Sequence, residues 1–425
     1  MKDYFYKIFS FNMKEFKLLF YATFFIFILF ASYATLRPIR DALGIHNSQE
    51  ALKWLFLGTF ILMIFSSFLA MYLSGAVKRR HYIDIIYYFF TINLILFFIA
   101  LSLLDENSKD FTYFAYIFYM WVSVFNLFII SSAWSLLADL FSKDRSKRLF
   151  GIISAGASLG SIIGSLSVSL LSTFLSLHNF IFVCIFLLLL AIITKNLLIK
   201  ESFSLLEDNQ KEIFNLRFEK SIGSKNPFEA IFLIIKSKYL LAFVAFILLL
   251  TSVSTFLYME QARIIKELFP TREARIAAFA NIDLIVQSAS FIMQCFFTAK
   301  IASLGLKWLL SLLGFIISLG FICLVFTHPA FLPFVIVMSI RRIGEYALVK
   351  PGREMLFVPL NASEKYKVKN FLDTVVYRGG DALSAQIEGF LVKISLTCVL
   401  LTGALISFVW GLLGVFLAKG YDKKA

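Results

Sequence analysis

Twelve apolar runs dominate this chain and limit what it can become. They lie near 16–37, 53–75, 82–104, 111–140, 149–174, 178–198, 239–260, 276–299, 305–327, 329–349, 370–393 and 396–418. Each has about 20 residues, the length at which a helix crosses a hydrocarbon layer. No water reaches a backbone N–H or C=O inside that layer, and a helix closes all of its hydrogen bonds within the segment. With 60% hydrophobic residues, 51 Phe and a mean hydropathy of +0.82, the chain is far more apolar than a soluble domain. The runs therefore predict an all-α integral membrane protein with twelve transmembrane helices.

The first run follows a basic start (Lys2, Lys7, Lys14, Lys17) and lacks a small-residue cleavage pattern, so it is expected to remain as a helix. Cys184, Cys295, Cys323 and Cys398 stand singly inside apolar runs, without the spacing of a disulfide framework or a zinc site. One long hydrophilic interruption, containing KESFSLLEDNQKEIFNLRFEKSIGSKNP, separates six runs from six. The expected organisation is an N-terminal six-helix bundle over 1–198, a cytoplasmic linker over 199–238 and a C-terminal six-helix bundle over 239–425. Cytoplasmic loops of membrane proteins collect Lys and Arg. Placing the N-terminus inside puts 29 of the 41 Lys and Arg residues on the cytoplasmic side and 9 outside, with Arg341, Arg342 and Arg378 left within helices. Both termini are thus expected in the cytoplasm. The net charge of +14 is then a topology signal and an attraction to the anionic inner leaflet, with no call for nucleic acid.

An ionisable side chain facing lipid is costly, so charges within the runs are expected to face the bundle interior, a partner or a water-filled path. In the first half these are Arg37, Arg40 and Asp41 at the end of the first run, Asn126 within the fourth and Asp139 at its cytoplasmic end. In the second half, Glu260 and Arg263 close the seventh run and Asp283 lies on the eighth. Arg342, Glu345, Tyr346, Lys350 and Arg353 follow one another along the tenth, and Asp373, Arg378 and Asp381 lie on the eleventh. Arg342, Glu345 and Tyr346 stand at i, i+3 and i+4 and so share a helix face, which Lys350 and Arg353 extend. A membrane helix this basic points to an anionic substrate, because guanidinium forks take carboxylate or phosphate through paired hydrogen bonds and lysine adds a compact counter-charge. The competing structural reading pairs Arg342 with Glu345 and Arg378 with Asp381. Asp41, Asp139, Asp283, Glu345, Asp373 and Asp381 are the candidates for coupling or gating, and the remaining residues named here are candidates for substrate binding. Gly156, Gly160 and Gly164 recur every fourth residue, a pattern for close helix packing. No P-loop, Ser-His-Asp set or thiol nucleophile is present, and the four scattered histidines suggest no metal site, so neither enzyme chemistry nor a cofactor is implied.

Two echoes relate the halves. Outer charges follow the first run (Arg37, Arg40, Lys53) and the seventh (Arg263, Lys266, Arg272, Arg275). The stretch WSLLADLFSKDRSKRLFGIISAGASLGS (134–161) is echoed by YALVKPGREMLFVPLNASEKYKVKNFLDTVVYRGGDALS (346–384). Two parallel six-helix bundles resemble the major-facilitator architecture, in which substrate lies at the interface between halves.

A more specific likeness runs from Glu345 to Gln386, EYALVKPGREMLFVPLNASEKYKVKNFLDTVVYRGGDALSAQ. Tyr346, Arg353-Glu354-Met355, Phe357, Pro359-Leu360, the alternating Lys365, Lys367 and Lys369, and Asp373 before Val375-Val376 resemble the ATP/ADP translocase family of intracellular bacteria and plastids. LRPIRD (36–41) and YMEQARIIKELFPTREARIAAFANID (258–283) are similar to that family's ends of helix 1 and helix 7. The sequence departs from the family in carrying Arg40 and Arg353 where lysines are usual, and Asn126 in the region of an acidic residue. The resemblance implies a secondary transporter of a divergent bacterial branch, in the inner membrane, that moves ATP, ADP or a related phosphate-bearing anion by alternating access. It carries roles in transport to Arg40, Glu260 and Arg353. Alternatives are a carrier of another anion, such as a sugar phosphate or organic acid, and a membrane scaffold that moves nothing. Twelve helices form a complete path as a monomer, with the lipid bilayer and a small-molecule anion as partners.

Overall fold

In the computed structural model of the chain each apolar run is a helix, and most are longer than hydropathy alone indicates. The structure describes residues 15–48, 50–141, 143–206, 208–219, 229–296, 301, 305–357, 368–369 and 371–422. The loop part of the translocase-like motif, including Pro359-Leu360, Lys365 and Lys367, lies outside the described residues. The helices are α1 (Phe16–Gly44), α2 (Ala51–Ala76), α3 (Arg79–Leu103), α4 (Lys109–Leu140), α5 (Lys143–Leu171) and α6 (Leu177–Ser204). Two short helices, α7 (Asp208–Glu219) and α8 (Glu229–Lys236), occupy much of the segment read as a linker. They are followed by α9 (Lys238–Leu268), α10 (Arg272–Phe296) and α11 (Leu306–Thr327). Next, α12 runs from Phe331 to Gly344, passes through a π-helical turn at Glu345–Val349 and ends over Lys350–Met355. A π-turn at Leu372–Val376 opens α13, which continues as Tyr377–Leu391, and α14 is Leu396–Asp422. Among the described residues there is no strand. Among the described residues ten helices are long and apolar enough to cross a membrane by themselves. The helices α12 and α13, interrupted by π-turns, are not among these ten.

The first run does not end at residue 37 as hydropathy suggests. α1 continues through Arg37, Pro38, Arg40 and Asp41 to Gly44. Leu36, Ile39, Ala42 and Leu43 are buried at helical spacing and extend the apolar face, while the charges find partners in the interior.

By contacts the chain divides into two compact units. One comprises residues 1–43, 66–224 and 276–284; the other comprises 44–65, 225–275 and 285–425. In the first unit the glycine pattern of α5 is a packing seam. Gly156, Gly160 and Gly164 lie against Thr23, Phe27 and Ala31 of α1, also spaced by four, and a Cβ on Gly160 would stand 3.0 Å from the Phe27 carbonyl carbon. Without side chains there, the two backbones approach closely. Aromatic side chains fill the space between α3 and α4, where Phe97 meets Trp121 edge-on at 5.1 Å between centroids. In the second unit α11 and α14 pack along their length, with the Ser318 hydroxyl donating to the Ala404 carbonyl at 2.9 Å. Trp410 of α14 is fully buried against Phe246 of α9.

Candidate functional site

In the first unit the charges at the end of α1 lie beside opposite charges. The Arg40 guanidinium donates to Asp41 at 2.8 and 2.5 Å and to the Ser123 hydroxyl of α4 at 3.3 Å, and lies 5.1 Å from the centroid of the Tyr119 ring. Arg37 faces Asp283 at 3.6 Å, with both side chains mostly buried. Asn126 and Asp139 are half-buried on α4. Beside Asp283, Asn281 accepts a hydrogen bond from Ser169 of α5. Two positively and two negatively charged groups thus balance around α1 and the start of α10.

The second unit holds a longer polar structure, built on one face of α13 and the residue just ahead of it. Tyr377, Asp381, Ser384 and Glu388 follow at intervals of three or four on one α-helical face, and Lys369 and Asp373 precede them across the π-turn. From Asp373 to Glu388 the stripe rises about 22 Å, most of the thickness of a hydrocarbon layer. Each member meets a partner on α12 or α9. Lys369 pairs with Glu354, and Asp373 with Arg353 at 3.0 Å. The Tyr377 hydroxyl donates to Glu345 at 3.1 Å, while Asp381 accepts from Thr255 at 3.3 Å and lies 3.3 Å from Arg378. Ser384 meets Ser252 at 2.8 Å, and Glu388 meets Arg263 at 2.6 Å. Arg263 is also paired with Glu260, which receives His328 at 2.7 Å on its other oxygen.

Guanidinium groups gather around Tyr377. Arg353 and Arg378 stand 5.9 and 5.7 Å from its ring centroid. Arg341 pairs with Glu345 at 2.9 Å, the same carboxylate that the Tyr377 hydroxyl reaches. Among the described residues the buried Nε atoms of Arg341 and Arg353 make no hydrogen bond. Glu345 therefore pairs with Arg341 and not with Arg342, as the regular i, i+3 reading had it. The π-turn that begins at Glu345 gives the helix i, i+5 bonding and turns the following residues away from the face a continuous α-helix would present. Arg342 is buried elsewhere on α12, Tyr346 is half-buried with its carbonyl accepting from Gln294, and Lys350 is exposed. The expected Arg378–Asp381 pair is present.

Several participants escape a reading by charge alone. Tyr377, Thr255, Ser252 and Ser384 are neutral, yet they occupy the stripe. Its intervals of four, four, four, three and four were available in the sequence as the signal. Lys195 is 1% exposed and paired with Asp84 of α3. It lies inside α6, which continues past the apolar run to Ser204.

Charged and hydroxyl side chains enclosed among bilayer-length helices are what a solute path through a membrane protein requires. The chain belongs to the Major Facilitator Superfamily, whose sequence pattern matches residues 19–349. It is similar to the crystal structure of the peptide transporter POT in complex with sulfate, at 15% identity over 96% of both chains and a TM-score of 0.66. A POT family transporter in complex with 5-aminolevulinic acid is similar at 14% identity over 95% of this chain and 96% of that one, with a TM-score of 0.64. The inward-open xylose transporter XylE from E. coli is similar at 12% identity over 96% of both chains, with a TM-score of 0.59. At these identities the likeness is one of fold. No curated protein matches the chain. The protein is a secondary transporter of major-facilitator type, and the comparisons stop at that level: the nucleotide reading rests on the motif resemblance.

Proposed function

We propose that the transporter carries a small anion bearing phosphate or carboxylate, held in the second unit by Arg341, Arg353 and Arg378 around Tyr377. The observation that carries this reading is the tyrosine ring with a guanidinium at 5.9 Å and another at 5.7 Å, beside buried Nε donors of Arg341 and Arg353 that no group among the described residues takes up. A buried donor left without an acceptor costs about 1–3 kcal/mol, and an anion supplying that acceptor recovers it. Guanidinium suits the task because its planar fork matches both phosphate and carboxylate. The translocase-like motif, which includes Arg353, Asp373 and Tyr346, supports ATP or ADP as the first substrates to test. Sulfate and 5-aminolevulinic acid in the structural neighbours support an oxyanion or carboxylate more generally. Asp373, Asp381 and Glu345 keep the arginines apart when no anion is bound. The reading includes two six-helix halves and cytoplasmic termini in a bacterial inner membrane.

The test is thermal stabilisation of purified protein by ATP, ADP, sugar phosphates and dicarboxylates, since a ligand of the folded state raises the melting point by mass action. A shift with one class, lost in Arg353→Ala, supports the site. Stabilisation by ATP or ADP selects the nucleotide reading, and stabilisation by another anion alone rejects it. No shift with any anion overturns the proposal.

A further inference from the structure

Midway along the α13 stripe the partners are hydroxyls. Thr251, Ser252 and Thr255 of α9 face Asp381 and Ser384 of α13, where the two helices come close. A Cβ on Gly380 would collide with the Thr251 hydroxyl, so the glycine is what admits that oxygen. The oxygens are deeply enclosed: Thr251, Thr255 and Ser384 are 0, 1 and 2% exposed, and Asp381 7%.

A hydroxyl that donates its proton keeps its lone pairs as acceptors. Thr251 and Ser252 both donate to the Leu248 carbonyl, at 2.9 and 2.8 Å. The Ser252 and Ser384 hydroxyls share a hydrogen bond at 2.8 Å. Thr255 reaches one Asp381 oxygen at 3.3 Å, and Arg378 stands 3.3 Å from the other. The acceptors of the group are four hydroxyls and one carboxylate, whose second oxygen faces the Arg378 guanidinium. An all-oxygen set suits a hard cation, and a single carboxylate suits one positive charge better than two.

We propose that Thr251, Ser252, Thr255, Asp381 and Ser384 form a sodium site. A proton would engage the carboxylate alone, whereas a sodium ion would take the hydroxyl oxygens as ligands as well. The charged groups around Asp381 are Arg378 and, beyond it, the Arg341–Glu345 pair. Sodium on Asp381 competes with Arg378 for that carboxylate and frees the guanidinium for an incoming anion. Sodium and a singly charged anion then enter the interior together with no net charge. This coupling step rests on the anion reading above, whereas the sodium site itself does not.

The site is tested on the full-length purified protein with no anionic substrate present, by comparing melting temperatures in NaCl, KCl and choline chloride at equal ionic strength. The expected result is a saturable rise in NaCl alone, abolished in Asp381→Asn. In Thr255→Val the half-saturating sodium concentration should increase about tenfold, the equivalent of one lost ligand. Ser384→Ala removes a ligand oxygen without removing charge and guards against a misfolded Asp381 variant; it too should weaken the sodium effect. Equal melting in the three salts overturns the site, as does a sodium response that survives in both Asp381→Asn and Ser384→Ala. Because the assay contains no anion, its failure is separate from failure of the anion reading.

Discussion

Removing Arg263 should cost more than any other single change in the second unit. Its guanidinium stands between Glu260 and Glu388, and the three side chains are 10, 2 and 1% exposed. In Arg263→Met the stem volume is kept and the charge is lost. Glu260 retains a hydrogen bond from His328, so the burden falls on Glu388, whose second oxygen already makes no hydrogen bond among the described residues. Removing one partner of a buried ion pair destabilises by about 3–5 kcal/mol, because the other charge is left unpaired in a medium that solvates it poorly. The folded fraction relative to the unfolded should fall by roughly a hundredfold to several thousandfold, at about 1.4 kcal/mol per factor of ten. Adding Glu260→Gln and Glu388→Gln to the same background removes the stranded charges and should return the protein to within about 1 kcal/mol of the parent, as apolar or neutral replacement of a whole buried pair commonly does. Reversible unfolding in mixed micelles, followed by tryptophan fluorescence, reads both values. The reasoning is refuted by an Arg263→Met protein as stable as the parent, or by a triple variant weaker than the single one.

Three further outcomes follow from the packing. Gly160→Ala places a methyl group against the Phe27 carbonyl and should lower stability by about 1–3 kcal/mol through overpacking, whereas Leu159→Ala, on the exposed side of α5, should change it by less than about 0.5 kcal/mol; thermal melts in detergent compare them. In the Lys195–Asp84 pair the lysine side chain is 1% exposed and the aspartate 26%, so Asp84→Asn, which strands the enclosed lysine, should destabilise more than Lys195→Met, and equal losses would count against this account. Tyr377→Phe removes the hydrogen bond to Glu345 but keeps the ring beside Arg353 and Arg378, so stabilisation by the substrate anion should persist in Tyr377→Phe and be lost in Tyr377→Ala.

Much of the architecture was legible because the physics behind it is local. A run of about 20 apolar residues must be helical in a bilayer whatever its neighbours do. The glycine seam of α5 could likewise be read from its period. Helix ends were less legible. Charges such as Arg37, Arg40, Lys195 and Lys350 end a hydropathy window, but they do not end a helix when a carboxylate, a neighbouring helix or the exposed surface receives them. The Arg342–Glu345 expectation gave way to Arg341–Glu345 for a different reason: partners at i+3 and i+4 are both within reach on a helix, and spacing does not choose between them.

The sequence by itself determined that this chain is a twelve-helix membrane protein with charges placed inside the helices, since solvation by hydrocarbon acts on each segment independently. Only the tertiary structure decided which partner each charge has. It joined Arg263 to Glu388, 125 residues away, and set Thr255 against Asp381, 126 apart. Such pairings depend on helix rotation and depth, which are set by close contacts between helices distant in the chain, and no local pattern encodes them.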